Sequence, residues 1–288
     1  MPKVARRLTQ RRGSGRSNRA RAGRQTSSLR RLGIAIVFAV IGAVQVPGCS
    51  VTPYVAAPHA GGQPAPSSSQ AGAFAQCPQH FPGYVPTVAW PGRQRALCFD
   101  AFAVLHSGES KTPVYTVERL TRSGVEAAKN IKRSDRFYPE ARLPAADRAQ
   151  LTDYAGSGYD RGHMAPAGDM PTVESKAQSF SLANMVPQVP ELNQKAWNQI
   201  EQATRKYAAR ASGDVYVFTG PTFAQRPATV GSGQVWVPSH TWKVVYSSGD
   251  GRAWAYWMAN NAGKQSLQPI SYQEFEQRSG LQLLSAAN

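Results

Sequence analysis

This 288-residue chain predicts an α+β fold, a central and mainly antiparallel sheet flanked by helices. Two observations carry that prediction. A series of short strand-like runs is separated by brief turns, which favours antiparallel neighbours. The strong helical patterns are few and stand apart from the strands, so they do not alternate with them one for one. With 41% hydrophobic residues the chain has material for one sizeable core plus tails.

The N-terminus comes first. Of the 33 Lys and Arg, 11 fall in residues 1–31 beside none of the 17 Asp and Glu, so the remainder carries 22 basic against 17 acidic residues, a net of +5. The formal charge of +16 therefore describes the leader more than the body. A mildly basic body suits a phosphate-bearing partner without demanding one. Leu32 to Val46 is an uncharged, mostly apolar run of 15 residues. A membrane span needs about 20 residues, whereas a secretory core of roughly 7–15 follows a basic segment. Residues 1–49 thus read as a basic n-region and signal peptide. Val46-Pro-Gly-Cys49 resembles a bacterial lipobox, with Pro47 departing from the usual small residue. The expectation is export, to the periplasm with a lipid anchor on Cys49 or as a secreted protein, with membrane attachment through the N-terminus in the anchored case. Residues 50–76 are rich in Pro, Ala, Gly, Ser and Gln and read as a flexible tether, because such a composition buries too little apolar area to offset ordering entropy. Residues 77–288 form the expected folded body. With Cys49 set aside, Cys77 and Cys98 are left to pair in an oxidising compartment.

Within the body, Phe102–His106 and Val114–Leu120 read as neighbouring strands. Asp214–Gly220, Thr241–Tyr246 and Ala253–Met258 read as further strands, the last two joined by a hairpin turn at Ser248-Gly-Asp-Gly251. The best helix covers Glu191–Ala211. Pro190 suits its first turn, and Leu192, Ala196, Ile200, Ala203 and Tyr207 recur on one face. Trp197 reads as core. A second helix covers Ser271–Arg278, with Ser271 as cap and Glu274 three residues on.

Chemistry concentrates in two segments. The first is Tyr159-Asp-Arg-Gly-His-Met-Ala-Pro-Ala-Gly168, with the histidine at His163. The second is Ala183-Asn-Met-Val-Pro-Gln188, followed by Leu192-Asn-Gln-Lys-Ala-Trp-Asn-Gln-Ile-Glu201. A histidine titrating near neutrality, an arginine and an amide with a nearby carboxylate could supply a base, a phosphate clamp and a ligand for a hard cation. Neither CxxC nor HExxH occurs, so nothing points to zinc. DRGH joined to N-x-x-P-Q and L-N-Q-x-x-W-x-x-x-E resembles the DNA/RNA non-specific endonucleases, the ββα-metal or His-Me finger nucleases, over roughly residues 80–280.

That resemblance implies a ββα-metal nuclease fold and a metal-dependent, sugar-non-specific endonuclease. It implies His163 as general base and Asn193 as ligand of a hydrated Mg²⁺, with Mn²⁺ as substitute. It implies Glu201 acting through the cation's water and Asn184 as a further active-site amide. Arg161 reads as the phosphate clamp, Asp160 as support for Arg161 or neighbouring backbone, and Gly162 as a point of close backbone approach to substrate or of a strained turn. In an ideal helix Asn193 and Glu201 stand about 12 Å and about 80° apart, too far for shared direct ligation. Either Arg133 or Arg136 is a candidate second phosphate contact. His80, His106 and His240 read as structural. The expected partners are DNA and RNA, met through backbone phosphates. The rival from another class is a surface-tethered protein that binds nucleic acid without cutting it, and a third reading is a phosphodiesterase of narrow specificity.

Overall fold

The computed structural model describes residues 70–285. The residues read above as signal peptide, lipobox with Cys49, and tether up to residue 69 lie outside the described residues. Eleven strands occur among them: β1 (Gln94–Cys98), β2 (Phe102–Ser107), β3 (Thr112–Leu120), β4 (Asp160–His163), β5 (Met185–Gln188), β6 (Val215–Thr222), β7 (Thr229–Val230), β8 (Val235–Trp236), β9 (His240–Ser247), β10 (Ala253–Ala259) and β11 (Ile270–Ser271). The α-helices are α1 (Gln70–Ala73), α2 (Arg122–Ala128), α3 (Leu151–Tyr154), α4 (Val173–Gln178), α5 (Asn198–Ala208) and α6 (Tyr272–Ser279).

A seven-stranded sheet runs in the order β1-β2-β3-β6-β9-β10-β11. Every neighbouring pair in it is antiparallel, as the short turns predict. Register sorts the side chains into two faces, because directly opposed residues project to the same side. One row runs Ala103, Val117, Phe218, Val244, Ala255. These residues share a buried cluster with Phe74 and Phe81 from the N-terminal segment and Phe275 from α6. A fully buried side chain of this size contributes roughly 1.5–3 kcal/mol relative to exposure. The opposite face carries Phe102 and Val104, which pack on Ala165, Met170 and Ala183, and Val217 and Val245, which pack on Ala208 of α5. The two sequence motifs therefore lie on this second face.

That second face is not wholly apolar. Thr116, Thr219 and Lys243 are aligned across β3, β6 and β9, and Glu118 follows two residues after Thr116. Lys243 and Glu118 are each 1% exposed. Lys243 Nζ donates to Thr219 Oγ1 at 2.7 Å and sits 5.6 Å from the centre of the Trp197 ring. Burial, with Asp169 next, raises the Glu118 carboxyl well above the usual range.

The folded body begins earlier than residue 77. Phe74 is fully buried, 5.0 Å from Phe81 and 6.4 Å from Tyr115 between ring centres. One aromatic at the end of a polar stretch anchors it, and mean composition hides this. Cys77 and Cys98 are disulfide-bonded and tie that segment to β1. The α6 start is as read: Ser271 Oγ accepts from the Glu274 backbone N–H at 3.0 Å, and Gly280 at φ 69° ends the helix in the left-handed conformation. No helix among the described residues is long and apolar enough to cross a membrane.

Candidate active site

The site is built on a small ββα unit laid over the sheet. β4 carries Asp160, Arg161, Gly162 and His163 and pairs antiparallel with β5 in the register Asp160–Gln188, Arg161–Pro187, Gly162–Val186, His163–Met185. Gly162 serves this pairing, not substrate approach: a Cβ there would stand 2.3 Å from Gln188 Oε1 and 2.6 Å from its Cβ. Its φ is not in the left-handed region, so close packing of the buried Gln188 is what demands glycine. Asn184 is also reassigned. Its side chain is fully buried, donates to the carbonyls of Ala165 (2.8 Å) and Ser179 (2.9 Å), and accepts from Ala165 N–H at 2.9 Å. With its amide committed to backbone it does not reach a substrate; it clamps the chain two residues after His163.

After β5 the chain enters a π-helical turn over Leu192–Trp197 and continues directly into α5. The i→i+5 bonds of such a turn place more residues in each revolution, so each residue advances by a smaller angle. That reduction is subtracted from the 80° excess that an α-helix accumulates over eight residues. Asn193 and Glu201 accordingly line the same groove.

The groove has a volume of about 370 Å³ and brings together His163, Arg161, Asn193, Glu201, Arg133 and Arg205. His163 is 8% exposed, and its ring packs at 5.0 Å from Phe180 and 5.7 Å from Phe137. Burial, reinforced by the Arg133 cation, pushes its pKa down to about 3. The imidazole is thus neutral, the form that accepts a proton. Its Nε2 has no hydrogen-bond partner among the described residues. Glu201 is half-buried in the groove wall. Burial raises its carboxyl to about 7, opposed chiefly by Lys243 from the sheet below.

Asp160 has a different task from the one read in the sequence. Its Oδ2 accepts from Asn193 Nδ2 and from Gln194 Nε2, each at 2.9 Å. Holding the NH₂ of Asn193 leaves Oδ1 as the atom free to act as a ligand. Asn193 Oδ1 and the Glu201 carboxylate make an oxygen-only set without thiol or imidazole. That set suits a hydrated hard cation and not zinc. Among the described residues no group of three or more His, Cys, Asp or Glu is placed to hold a metal ion.

Three arginines surround this centre. Arg161 lies with its guanidinium carbon 4.3 Å from the centre of Phe137. Arg133 reaches the groove, 5.1 Å over Phe180; Arg136 does not line it. Arg205 was not singled out in the sequence. It stands four residues after Glu201, the spacing that puts two helical residues side by side. It donates to the buried Asp169 at 2.5 Å, and side-chain-free Gly168 makes room, since a Cβ there would stand 2.9 Å from Arg205 Nη1. Trp197 is fully buried as core. His80 bonds the Phe99 carbonyl at 2.9 Å, His106 is buried and His240 lies against Ser239 at 3.1 Å, all away from the groove.

Known proteins resemble this chain in sequence and in fold. The sequence model of the family described as DNA/RNA non-specific endonuclease matches residues 81–288. Nuclease C1 of Cunninghamella echinulata var. echinulata is 34% identical over 169 residues, which are 54% of this chain and 67% of that protein. Mitochondrial endonuclease G of Bos taurus is 32% identical over 175 residues, 57% of this chain and 58% of that one. A nuclease of Nostoc sp. is 38% identical over 118 residues, 40% of this chain and 42% of that one. The chain therefore spans between less than half and about two thirds of these relatives' lengths. Among solved structures, EndoG in its complex with EndoGI superposes with a TM-score of 0.60 at 27% identity, covering 69% of this chain and 89% of that one.

Proposed function

Because the chain belongs to the DNA/RNA non-specific endonuclease family, we propose that it is a metal-dependent endonuclease hydrolysing phosphodiester bonds of DNA and RNA. One observation carries the reading: His163, Arg161, Asn193 and Glu201 converge on a single groove. The neutral His163 imidazole takes a proton from water, which attacks phosphorus in line with the departing 3′-oxygen. Arg161 holds the phosphate by charge-assisted hydrogen bonds, with Arg133 and Arg205 adding positive charge around it. Asn193, with Glu201 acting through water, would hold a hydrated Mg²⁺, or Mn²⁺ in its place, which when bound supplies positive charge opposite the phosphoryl oxygens. Asp160 fixes the amide of Asn193, and Asn184 fixes the backbone after His163. No covalent enzyme intermediate is required. The roles assigned to the groove residues are toward phosphate and water and none is toward a base edge, which supports cleavage of either sugar type with little sequence preference.

The test is digestion of plasmid DNA and of RNA with and without EDTA, beside His163→Asn. Wild-type cleavage that EDTA abolishes, and a loss of roughly 10²–10⁴-fold in the variant, supports the reading. A variant with full activity refutes the base, and a gel shift that never leads to degradation in Mg²⁺ favours capture without cleavage. Export, with attachment through Cys49 or release after processing, is the proposed location. The basic leader, the apolar run after it and the Cys77–Cys98 bond support an oxidising compartment.

A further inference from the structure

A second groove adjoins the first. It has a volume of about 330 Å³ and shares Arg133, Arg161, Asn193 and Gln194 with the catalytic groove, but His163 does not line it. Phe137, Tyr154, Tyr159 and Asp160 belong to the second groove alone, so both arginines stand at the boundary and its own contribution is three rings and a carboxylate without a cation. Two polar atoms in its lining residues are buried without a hydrogen-bond partner among the described residues, the Tyr154 hydroxyl and Arg161 Nε. Tyr154 is 4% exposed, and its hydroxyl lies close enough to Arg161 to feel that cation. A buried hydroxyl without a partner is destabilising, so a groove that retains one offers a waiting contact. Asp160 also has capacity to spare. Both amide donors go to its Oδ2, which leaves Oδ1 open as an acceptor.

The chemistry of the lining favours a nucleobase over a second phosphate. The Asp160 carboxylate opposes an anion and accepts N–H groups from a base edge. The Tyr154 hydroxyl and the Gln194 carbonyl oxygen extend the same polar wall. Tyr159, half-buried at the margin, offers a ring for stacking. Direction follows from the reaction. His163 lines the first groove and not the second, and in-line displacement sends the departing oxygen to the side of the phosphorus away from the water activated at His163, so the groove without His163 is assigned to the departing side.

We propose that the second groove is a nucleoside subsite that receives the nucleoside bearing the departing 3′-oxygen, with Tyr159 stacking on its base and Tyr154 and Asp160 meeting its edge. The proposal rests on the phosphodiesterase reading. It makes Tyr154 and Tyr159 determinants of which nucleotides flank the cut, within an enzyme that otherwise grips backbone.

The test uses the full chain and a short oligodeoxynucleotide whose single natural phosphodiester is flanked by uncharged methylphosphonates. An abasic residue is placed on the 5′ side of the cleavable bond in one substrate and on the 3′ side in another. The 5′-abasic substrate is expected to lose about fivefold or more in kcat/KM, and the 3′-abasic substrate clearly less. In Tyr159→Ala the natural and 5′-abasic substrates converge, and Tyr154→Phe narrows the gap between them. Equal losses on the two sides, a larger loss on the 3′ side, or a Tyr159→Ala variant that keeps the wild-type difference overturns the subsite. Those outcomes leave the endonuclease reading standing, because cleavage of long unmodified DNA is scored in parallel; failure there overturns both.

Discussion

Asp160→Ala isolates the device that aims the candidate metal ligand. The substitution removes the acceptor for Asn193 Nδ2 and Gln194 Nε2, both at 2.9 Å. A hydrogen bond to a charged acceptor contributes roughly 1.5–3 kcal/mol. If that interaction serves to hold Oδ1 of Asn193 toward the groove, its loss appears in cation affinity as roughly 10–100-fold, which is also the usual range for outer-shell partners of metal ligands. The assay is the Mg²⁺ concentration giving half-maximal cleavage of a fluorescent oligonucleotide, expected to rise by that factor while kcat at saturating Mg²⁺ changes less. Asp160→Asn separates orientation from charge, because it keeps one acceptor oxygen and loses the charge. An intermediate shift in Asp160→Asn indicates that the hydrogen bond matters, and a shift equal to that of Asp160→Ala assigns the effect to charge. An unchanged Mg²⁺ requirement in both variants, with melting temperature preserved, would refute the argument that Asp160 orients Asn193.

Other expectations concern pH, packing and redox state. Glu201 is raised to about 7 and His163 lowered to about 3, so the acid limb of kcat/KM should report a group near pH 7 and be displaced in Glu201→Gln. The raised carboxyl binds its proton more tightly in the folded state, so its stabilising contribution is complete below about 4.5 and lost as pH rises through about 7; wild-type melting temperature measured against Glu201→Gln should fall across that window. Gly162→Ala, forced against Gln188, should separate β4 from β5, lowering both melting temperature and cleavage, and a fully active, fully stable variant would contradict the packing. Cys98→Ser opens a bridge spanning 21 residues and should cost about 3 kcal/mol in denaturant unfolding.

Much of the fold and part of the site were legible because they depend on local signals. Short apolar and aromatic runs bounded by turns marked β2, β3, β6, β9 and β10, and the Ser271 cap marked α6, since neither needs knowledge of distant residues. The His163 and Asn193 segments stood out through residue type and spacing alone. What escaped depends on contacts far apart in sequence. Arg205 becomes a groove residue only because Asp169, 36 residues earlier, anchors it. Asn184 resembled an active-site amide until backbone partners at Ala165 and Ser179 were seen to use it up. Asp160 was placed beside the wrong neighbour, since its real partners lie 33 and 34 residues onward. β1 was missed because Gln94–Cys98 is short and mostly polar, and pairing with β2 supplies what its own pattern lacks. That Arg133 and not Arg136 lines the groove depends on the ring of Phe180, much further along the chain.

The wide turn over Leu192–Trp197 works as a ruler. Deleting one residue between Asn193 and Asn198 would let the segment relax into ordinary α-helix, and seven α-helical steps would bring Glu201 to within about 20° of Asn193, so the pair would keep its common face. Inserting one residue has no such slack to absorb it, and would swing Glu201 and Arg205 out of the groove together by roughly 80–100° while the helix itself stayed intact. Catalysis in this chain is therefore exposed to single-residue insertions in that stretch far more than to single deletions. A library of one-residue indels across 194–197 should give deletions that keep activity and folded insertions that have lost their chemistry in one step.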